Sequence, residues 1–325
     1  MPSIAIAIDS RCNARCAHCC FTCGPKSTEG LSDEKVRDLV AEAVANDDVD
    51  ELGISGGEAL LRRALVFEVI EQVHAAGKRV TLVTNGFWGQ TLPKASRELR
   101  ALKDAGLSSM TVSYDDFHAE YIPVKRIRNI FEANKRVELP TMLNVAVTRS
   151  STGDALLAEL GESVLRTRVT KFPVLPVGAA RALPPDSIIR EFRASDDLRC
   201  PGFEPVFHFD GKVYPCCSPA VFETALQLGD VADLSIAEAQ NKVRHNLLLG
   251  VIRRFGFTPL LRACRAAGIP APGDDEPLVD PCDLCRRLFR DEAAVRAIAP
   301  LVAEVFRTES AAEATEGADG HLVRR

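Results

Sequence analysis

Cys12, Cys16 and Cys19 stand in C-x3-C-x2-C spacing just past a short apolar run. Three thiolates this close suit a [4Fe–4S] cluster held by only three protein ligands, which leaves its fourth iron open to bind another molecule. An open iron on a low-potential cluster means electron-driven chemistry on whatever it holds. Zinc is the competing reading: it takes four closed N or S ligands, and His18, Cys20 and Cys23 lie near enough to complete such a set.

A second set lies far downstream, at Cys200, Cys216, Cys217, Cys264, Cys282 and Cys285, the last two in C-x2-C spacing. Eleven cysteines in a chain without an export signal favour metal ligation or thiol chemistry over disulfides, and the expected compartment is the reducing cytosol. Cys216 and Cys217 adjoin, so in an extended segment their side chains point to opposite sides. If Cys216 binds a metal, Cys217 projects elsewhere. Its thiol is then either a small buried hydrophobe or, beside a carbon radical, a hydrogen-atom donor. Cys264 falls in a helical stretch and reads as a lone core thiol.

The elements that must position these thiols follow from periodicity. From Ser3 to about Pro173, six β-type runs alternate with helical patterns, predicting a parallel sheet with helices outside, open or curled into a partial barrel. Each run is followed by, or contains, polar residues: the triplet after the first, Gly56-Gly57-Glu58 after the second and Thr84-Asn85-Gly86 after the third. Ser113 and Asp115 follow the fourth, Asn144 lies in the fifth and Lys171 in the sixth. In a β/α barrel these strand ends share the face where ligands bind. Past Pro184-Pro185 the texture changes to an Asp-Gly hairpin over 207–214, helices over about 235–268 and 286–307, and an Ala/Glu/Gly-rich tail. The expected domains are a partial barrel over 1–184, a smaller domain over 185–307 and a disordered tail over 308–325.

Bulk numbers exclude several classes. The chain has 325 residues, 46% hydrophobic and 26% charged, with net charge −5, which gives no nucleic-acid footprint. No apolar run approaches the roughly 20 residues of a membrane helix. The sheet is expected to begin almost at residue 1, and no N-terminal leader-binding domain is expected ahead of it.

With its triplet followed by a Gly-Gly-Glu turn, the chain resembles the radical S-adenosylmethionine (radical SAM) superfamily. The resemblance implies that SAM chelates the open iron and is cleaved to a 5′-deoxyadenosyl radical. It puts Gly56, Gly57 and Glu58 at the SAM amino group, Thr84, Asn85 and Ser113 near its methionyl and ribose parts, and the Pro173–Ala180 segment, with Val177, near adenine. Cys200, Cys216, Cys282 and Cys285 around the hairpin are similar to a SPASM-type auxiliary domain. Four thiols suffice for one further [4Fe–4S] cluster, giving two in all, with zinc the alternative there.

The stretches DSRCNARCAHCCFTCGPKST, LVTNGFWG, TVSYDDFHA and CPGFEPVFHFDGKVYPCCSPAVFET resemble the YydG/EpeE-type radical SAM peptide epimerases, in order from about Ile4 to Phe289. That resemblance implies conversion of L- to D-residues in a ribosomally made precursor peptide, with Cys217 returning hydrogen. An auxiliary cluster would help restore the thiol, and a flavodoxin or ferredoxin would supply electrons. Glu204 stands where the family has aspartate. Cys20 and Cys23 are expected to be structural, His18 to pack rather than ligate, and Asp116 and His118 to line either the peptide cleft or a solvated loop. The other readings are a peptide cross-linking radical SAM enzyme and, in a different class, a non-catalytic iron–sulfur electron carrier or peptide-binding protein. The intact triplet with Gly57 and Glu58 argues against the last, because a carrier needs no SAM pocket.

Overall fold

The computed structural model describes residues 3–319. The first half alternates strand and helix: β1 (Ser3–Ala7), α1 (Asp33–Ala45), β2 (Glu51–Ser55), α2 (Arg63–Ala75), β3 (Arg79–Thr84), α3 (Leu92–Asp104) and β4 (Ser109–Ser113). It continues with α4 (Asp116–Ala119), α5 (Val124–Val137), β5 (Thr141–Val147), α6 (Asp154–Leu160) and β6 (Arg168–Pro173). The six strands pair in parallel in chain order. Local signals set the helix ends. Ser32 caps α1 by accepting from Lys35 N at 3.1 Å, Leu31 joins Val36 in one core, and Gly77 follows α2 at φ +73°.

Alternation within each strand sorts the two faces. Ile4, Ile6, Leu52, Ile54, Val80, Leu82, Met110 and Val112 are buried in one core with Leu39, Val69, Leu99 and Ile130 from the helices. The opposite face carries Thr81, Thr111, Ser113 and Asn144, which are only partly buried. Ser113 stands in register with Asn144, and Asn144 with Thr170. Lys171 has the other parity: its ammonium pairs with Asp154 of α6, on the helix side and away from the inner face.

The sheet does not stop at β1. After β7 (Phe192–Arg193), β8 (Val206–Phe207) pairs in parallel with β1, and β9 (Lys212–Tyr214) and β10 (Gly229–Asp230) extend the sheet to nine strands. The hairpin covers an edge that the barrel strands leave open. The first core therefore reaches past residue 184 to include Phe207, Val213 and Ile236, and the two regions share a sheet across the expected boundary.

After α7 (Ile236–His245), whose buried Ile236 and Ala239 belong to the first core, the C-terminal region builds a second core from α8 (Leu247–Arg254), α9 (Thr258–Ala266), β11 (Pro277–Leu278), α10 (Pro281–Leu288) and α11 (Glu292–Asp319). The one helical stretch expected over 235–268 is three helices. Asn246 caps α8 by accepting from Leu249 N at 3.1 Å, and Gly256, at φ +77°, turns the chain into α9. The helix expected to begin at 286 begins at Pro281, with Asp280 as N-cap accepting from Asp283 N at 2.8 Å. Cys282 and Cys285 thus share one face of α10. The last helix continues through 308–319, where a disordered tail was expected. Its Ala/Glu-rich sequence has high intrinsic helix propensity. Residues 320–325 of that expected tail lie outside the described residues.

Candidate active site

The triplet sits on the loop after β1, which is tied down by backbone bonds. Ile8 N donates to Ser55 O at 2.9 Å, Leu31 N to Ile8 O at 3.0 Å and Cys12 N to Gly24 O at 3.1 Å. Cys19 N to Cys16 O (3.1 Å) and Thr22 N to Cys19 O (3.3 Å) close two successive turns. Donors are aimed at the sulfurs. Cys12 Sγ accepts from Ala14 N at 3.4 Å and Asn85 Nδ2 at 3.5 Å, and Cys19 Sγ from Cys23 N at 3.3 Å. Burial pushes the Cys12 thiol up to about 11 and Cys16 further. Hydrogen bonds from the Cys23 thiol, the Cys23 N–H and the Phe21 N–H pull Cys19 down to about 6. A bound cation is what makes three buried thiolates tenable together, and N–H···S bonds suit ligated sulfur.

Gly56 and Gly57 let the backbone come close to the cysteine loop. Gly57 N donates to Asp9 O at 2.6 Å and Glu58 N to Arg11 O at 3.0 Å. A Cβ on Gly57 would meet Arg11 O at 2.4 Å, and one on Gly56, at φ +147°, would meet Asp9 O at 2.7 Å. Glu58 is almost fully buried, and burial pushes its carboxyl up to about 7. It accepts from Leu60 N (3.1 Å), Thr84 Oγ1 (3.0 Å) and Asn85 N (2.7 Å). Asn85 Nδ2 also donates to Asn13 Oδ1 at 2.9 Å. The ends of β1, β2 and β3 thus share one network that includes Cys12. Val177 is fully buried, and its segment is stitched to the cysteine loop by Ala179 N donating to Cys19 O at 2.9 Å. Gly178, at φ +55°, lies so close to Cys20 O that a Cβ would stand 2.3 Å from it.

Asp115, which the sequence marked only as a strand-end residue, is a buried hub. It caps α4 by accepting from Phe117 N and His118 N, both at 3.1 Å, and it accepts from Ala146 N at 3.3 Å. His18 Nε2 lies 3.2 Å from its Oδ2 and His118 Nδ1 2.9 Å from its Oδ1. Burial opposes its ionisation, yet the hydrogen bonds from His118 and His18 prevail and hold its carboxyl well below the usual range. His18 stacks on Phe117 with ring centroids 4.7 Å apart. Asp116 is tied into the loop after β5. Its Oδ2 accepts from Ser151 Oγ at 2.6 Å and Gly153 N at 3.3 Å, pinning the loop after β5.

The downstream thiols converge. Cys200, Cys216, Cys282 and Cys285 line one apolar cavity with Phe203 and Phe257. Burial raises all four, with Cys216 and Cys282 reaching about 12. Cys217 does not line the cavity and is exposed. Around its sulfur, desolvation and then the Glu204 carboxylate raise the thiol above its ordinary value. Glu204 is itself raised by burial, against a hydrogen bond from Ser3. Cys264 is a fully buried member of the second core.

A model of the radical SAM superfamily matches residues 7–142. YydG of Bacillus subtilis (strain 168), a protein assigned to peptide biosynthesis, is 37% identical over 259 residues, 78% of this chain and 81% of that one. The chain belongs to the radical SAM superfamily. As a radical SAM enzyme it uses S-adenosylmethionine and an iron–sulfur cluster, which the thiol loop and its donors fit. A GTP 3′,8-cyclase of Helicobacter pylori is 31% identical over 168 residues, about half of each chain (47% and 49%). Among solved structures, native anSMEcpe with bound AdoMet has TM-score 0.56 at 14% identity, covering 95% of this chain and 99% of that one. BtrN in complex with AdoMet and 2-DOIA has TM-score 0.51 at 14% identity, covering 90% and 96%. These likenesses extend the radical SAM fold, with its smaller C-terminal region, over nearly the whole chain. Among the described residues no helix is long and apolar enough to cross a membrane.

Proposed function

We propose that this radical SAM enzyme is a cytosolic peptide epimerase, converting L- to D-residues in a ribosomally made peptide, with Cys217 as the hydrogen donor. The observation that carries the reading is the split between neighbours: Cys216 lines the four-thiol cavity, whereas Cys217 is exposed outside it. In this reading Cys12, Cys16 and Cys19 hold one [4Fe–4S] cluster, and Cys200, Cys216, Cys282 and Cys285 hold a second. Gly56, Gly57, Glu58, Thr84, Asn85, Ser113 and Val177 surround S-adenosylmethionine. When bound, the cofactors supply the 5′-deoxyadenosyl radical that removes an α-hydrogen.

The resulting peptide carbon is nearly planar, and Cys217 Sγ–H gives it a hydrogen atom on the opposite face. Only the protonated thiol has that atom to give, and desolvation together with Glu204 favours the protonated form. The sulfur radical left behind needs one electron and one proton. An external carrier of the flavodoxin or ferredoxin class supplies the electron. Glu204, the neighbouring acid whose carboxyl burial raises, is the group we assign to relay the proton. The peptide assignment draws support from YydG and from the likeness to anSMEcpe, which has been solved with a Kp18Cys peptide (TM-score 0.54, 15% identity).

The test uses the peptide encoded by a short reading frame beside the gene, incubated in deuterated water. The expected product keeps its connectivity, carries deuterium at Cα and contains a D-residue. A product lighter by two hydrogens would mean cross-linking. Cys217→Ala should still form 5′-deoxyadenosine and yield no D-residue, and normal D-residue formation by that variant would sink the donor role.

A further inference from the structure

Cys16, His18 and His118 each place one ligand atom within 4.8 Å of the others, the only such group of three or more His, Cys, Asp or Glu side chains among the described residues. Cys16 is buried, and 13% of each imidazole side chain is exposed. Two features set the group apart from a chance meeting. Both histidines are tied through one ring nitrogen to the same carboxylate, Asp115, which three backbone N–H groups hold in place. The other nitrogen of His18, Nδ1, is buried without a hydrogen-bond partner. A carboxylate on the far nitrogen of a histidine is the usual outer-shell support of a metal ligand: it fixes the tautomer and aims the free lone pair.

We propose that in chains lacking the N-terminal cluster, Cys16 Sγ, His18 Nδ1 and His118 Nε2 bind one thiophilic divalent cation of the zinc class, oriented by Asp115. This ion and the cluster exclude each other, because both need Cys16. One thiolate and two imidazoles match the preferences of Zn²⁺ and Co²⁺, with water in the fourth tetrahedral position. Binding releases the Cys16 thiol proton to solvent. The loop therefore has two competing metal states: Cys16 with the histidines around one ion, or Cys16 with Cys12 and Cys19 around a cluster. Only the exclusion rests on the cluster reading of Cys16, and it is tested separately.

The site is read in the full chain carrying Cys12→Ala and Cys19→Ala, titrated anaerobically with Co²⁺, with circular dichroism confirming that each variant is folded. The expected result is one equivalent showing tetrahedral ligand-field bands and a thiolate-to-cobalt charge-transfer band. Adding Cys16→Ala should abolish the charge-transfer band of that equivalent, and His18→Ala or His118→Ala should weaken its binding at least a hundredfold. Asp115→Asn should keep the bands and weaken binding about 10- to 100-fold. Any uptake at the C-terminal thiols is a separate equivalent, indifferent to the histidine substitutions. No histidine-sensitive equivalent overturns the site. For the exclusion, the metal-free wild-type chain is reconstituted with iron and sulfide with and without equimolar Zn²⁺, beside His118→Ala. Zinc should depress iron loading more in the wild type. Equal depression in both overturns the exclusion alone.

Discussion

The two thiol sites are built by opposite means. The N-terminal loop packs five cysteines into residues 12–23 and is held mainly by backbone hydrogen bonds to the ends of neighbouring strands. The C-terminal site gathers Cys200, Cys216 and the α10 pair from segments spanning 85 positions, and what gathers them is an apolar core containing Leu198, Phe257, Leu284 and Phe289. The first site depends on how closely one backbone can lie on another. The second depends on whether a core stays folded. A local site fails through spacing, and an assembled site fails through stability.

The largest effects should come from the proposed ligands themselves. Cys12→Ala should reduce reductive cleavage of S-adenosylmethionine to background while thermal unfolding of the C-terminal region changes little. Cys285→Ala should leave cleavage measurable, lower the unfolding midpoint and remove iron from the C-terminal site. Iron counting, cleavage assays and calorimetry on the two variants check this together. If both variants lost cleavage and stability alike, the two sites would be one cooperative unit and the contrast would fail.

Next come substitutions that touch no ligand. Gly57→Ala would drive a Cβ to 2.4 Å from the Arg11 carbonyl, a backbone atom with no side chain to swing away. It should cost the N-terminal cluster while circular dichroism stays unchanged. Phe257→Ala opens space in the second core and should destabilise that region by about 3–5 kcal/mol. Denaturant unfolding should read this as a lower midpoint, with S-adenosylmethionine cleavage surviving at low temperature. A spacing-insensitive Gly57 or a stability-neutral Phe257 would each break one half of the comparison.

The same contrast governs what could be read from the residues alone. The six strands, the Ser32 cap and the triplet were legible because each rests on spacing within a few positions. Glu58 was legible as a carboxylate at a strand end, but its bonds to Thr84 and Asn85 join two loops that only the sheet register brings side by side. The start of α10 was missed, although Asp280-Pro281 is a cap and first-turn proline. The pairing of β8 with β1 carried no local signal, since two residues cannot announce a partner two hundred positions away. Asp115 was visible as an acid after a strand. Its grip on His18 and His118 needed three loops to meet.

The smallest predicted effect is electrostatic and belongs to the local site. Burial sets the Glu58 carboxyl near 7, above the ordinary value of 4.5. A raised carboxyl favours the fold while it is protonated, a contribution fully present below its ordinary value and lost as pH rises through about 7. Above that pH the chain carries a buried carboxylate supported by Leu60 N, Thr84 Oγ1 and Asn85 N. In the proposed site an amino N–H of S-adenosylmethionine is a further donor to the ionised form, so affinity should rise with pH. With a midpoint near 7, the ionised fraction changes about tenfold between pH 6 and pH 8, and binding should weaken about tenfold at the lower value. Glu58→Gln keeps an acceptor but cannot ionise, so its binding should be weak at both values and flat between them. Calorimetric titration at pH 6 and 8 on both proteins decides it. A wild-type profile as flat as that of the glutamine variant would detach Glu58 from the ligand and leave it only its backbone role in joining β2 to β3.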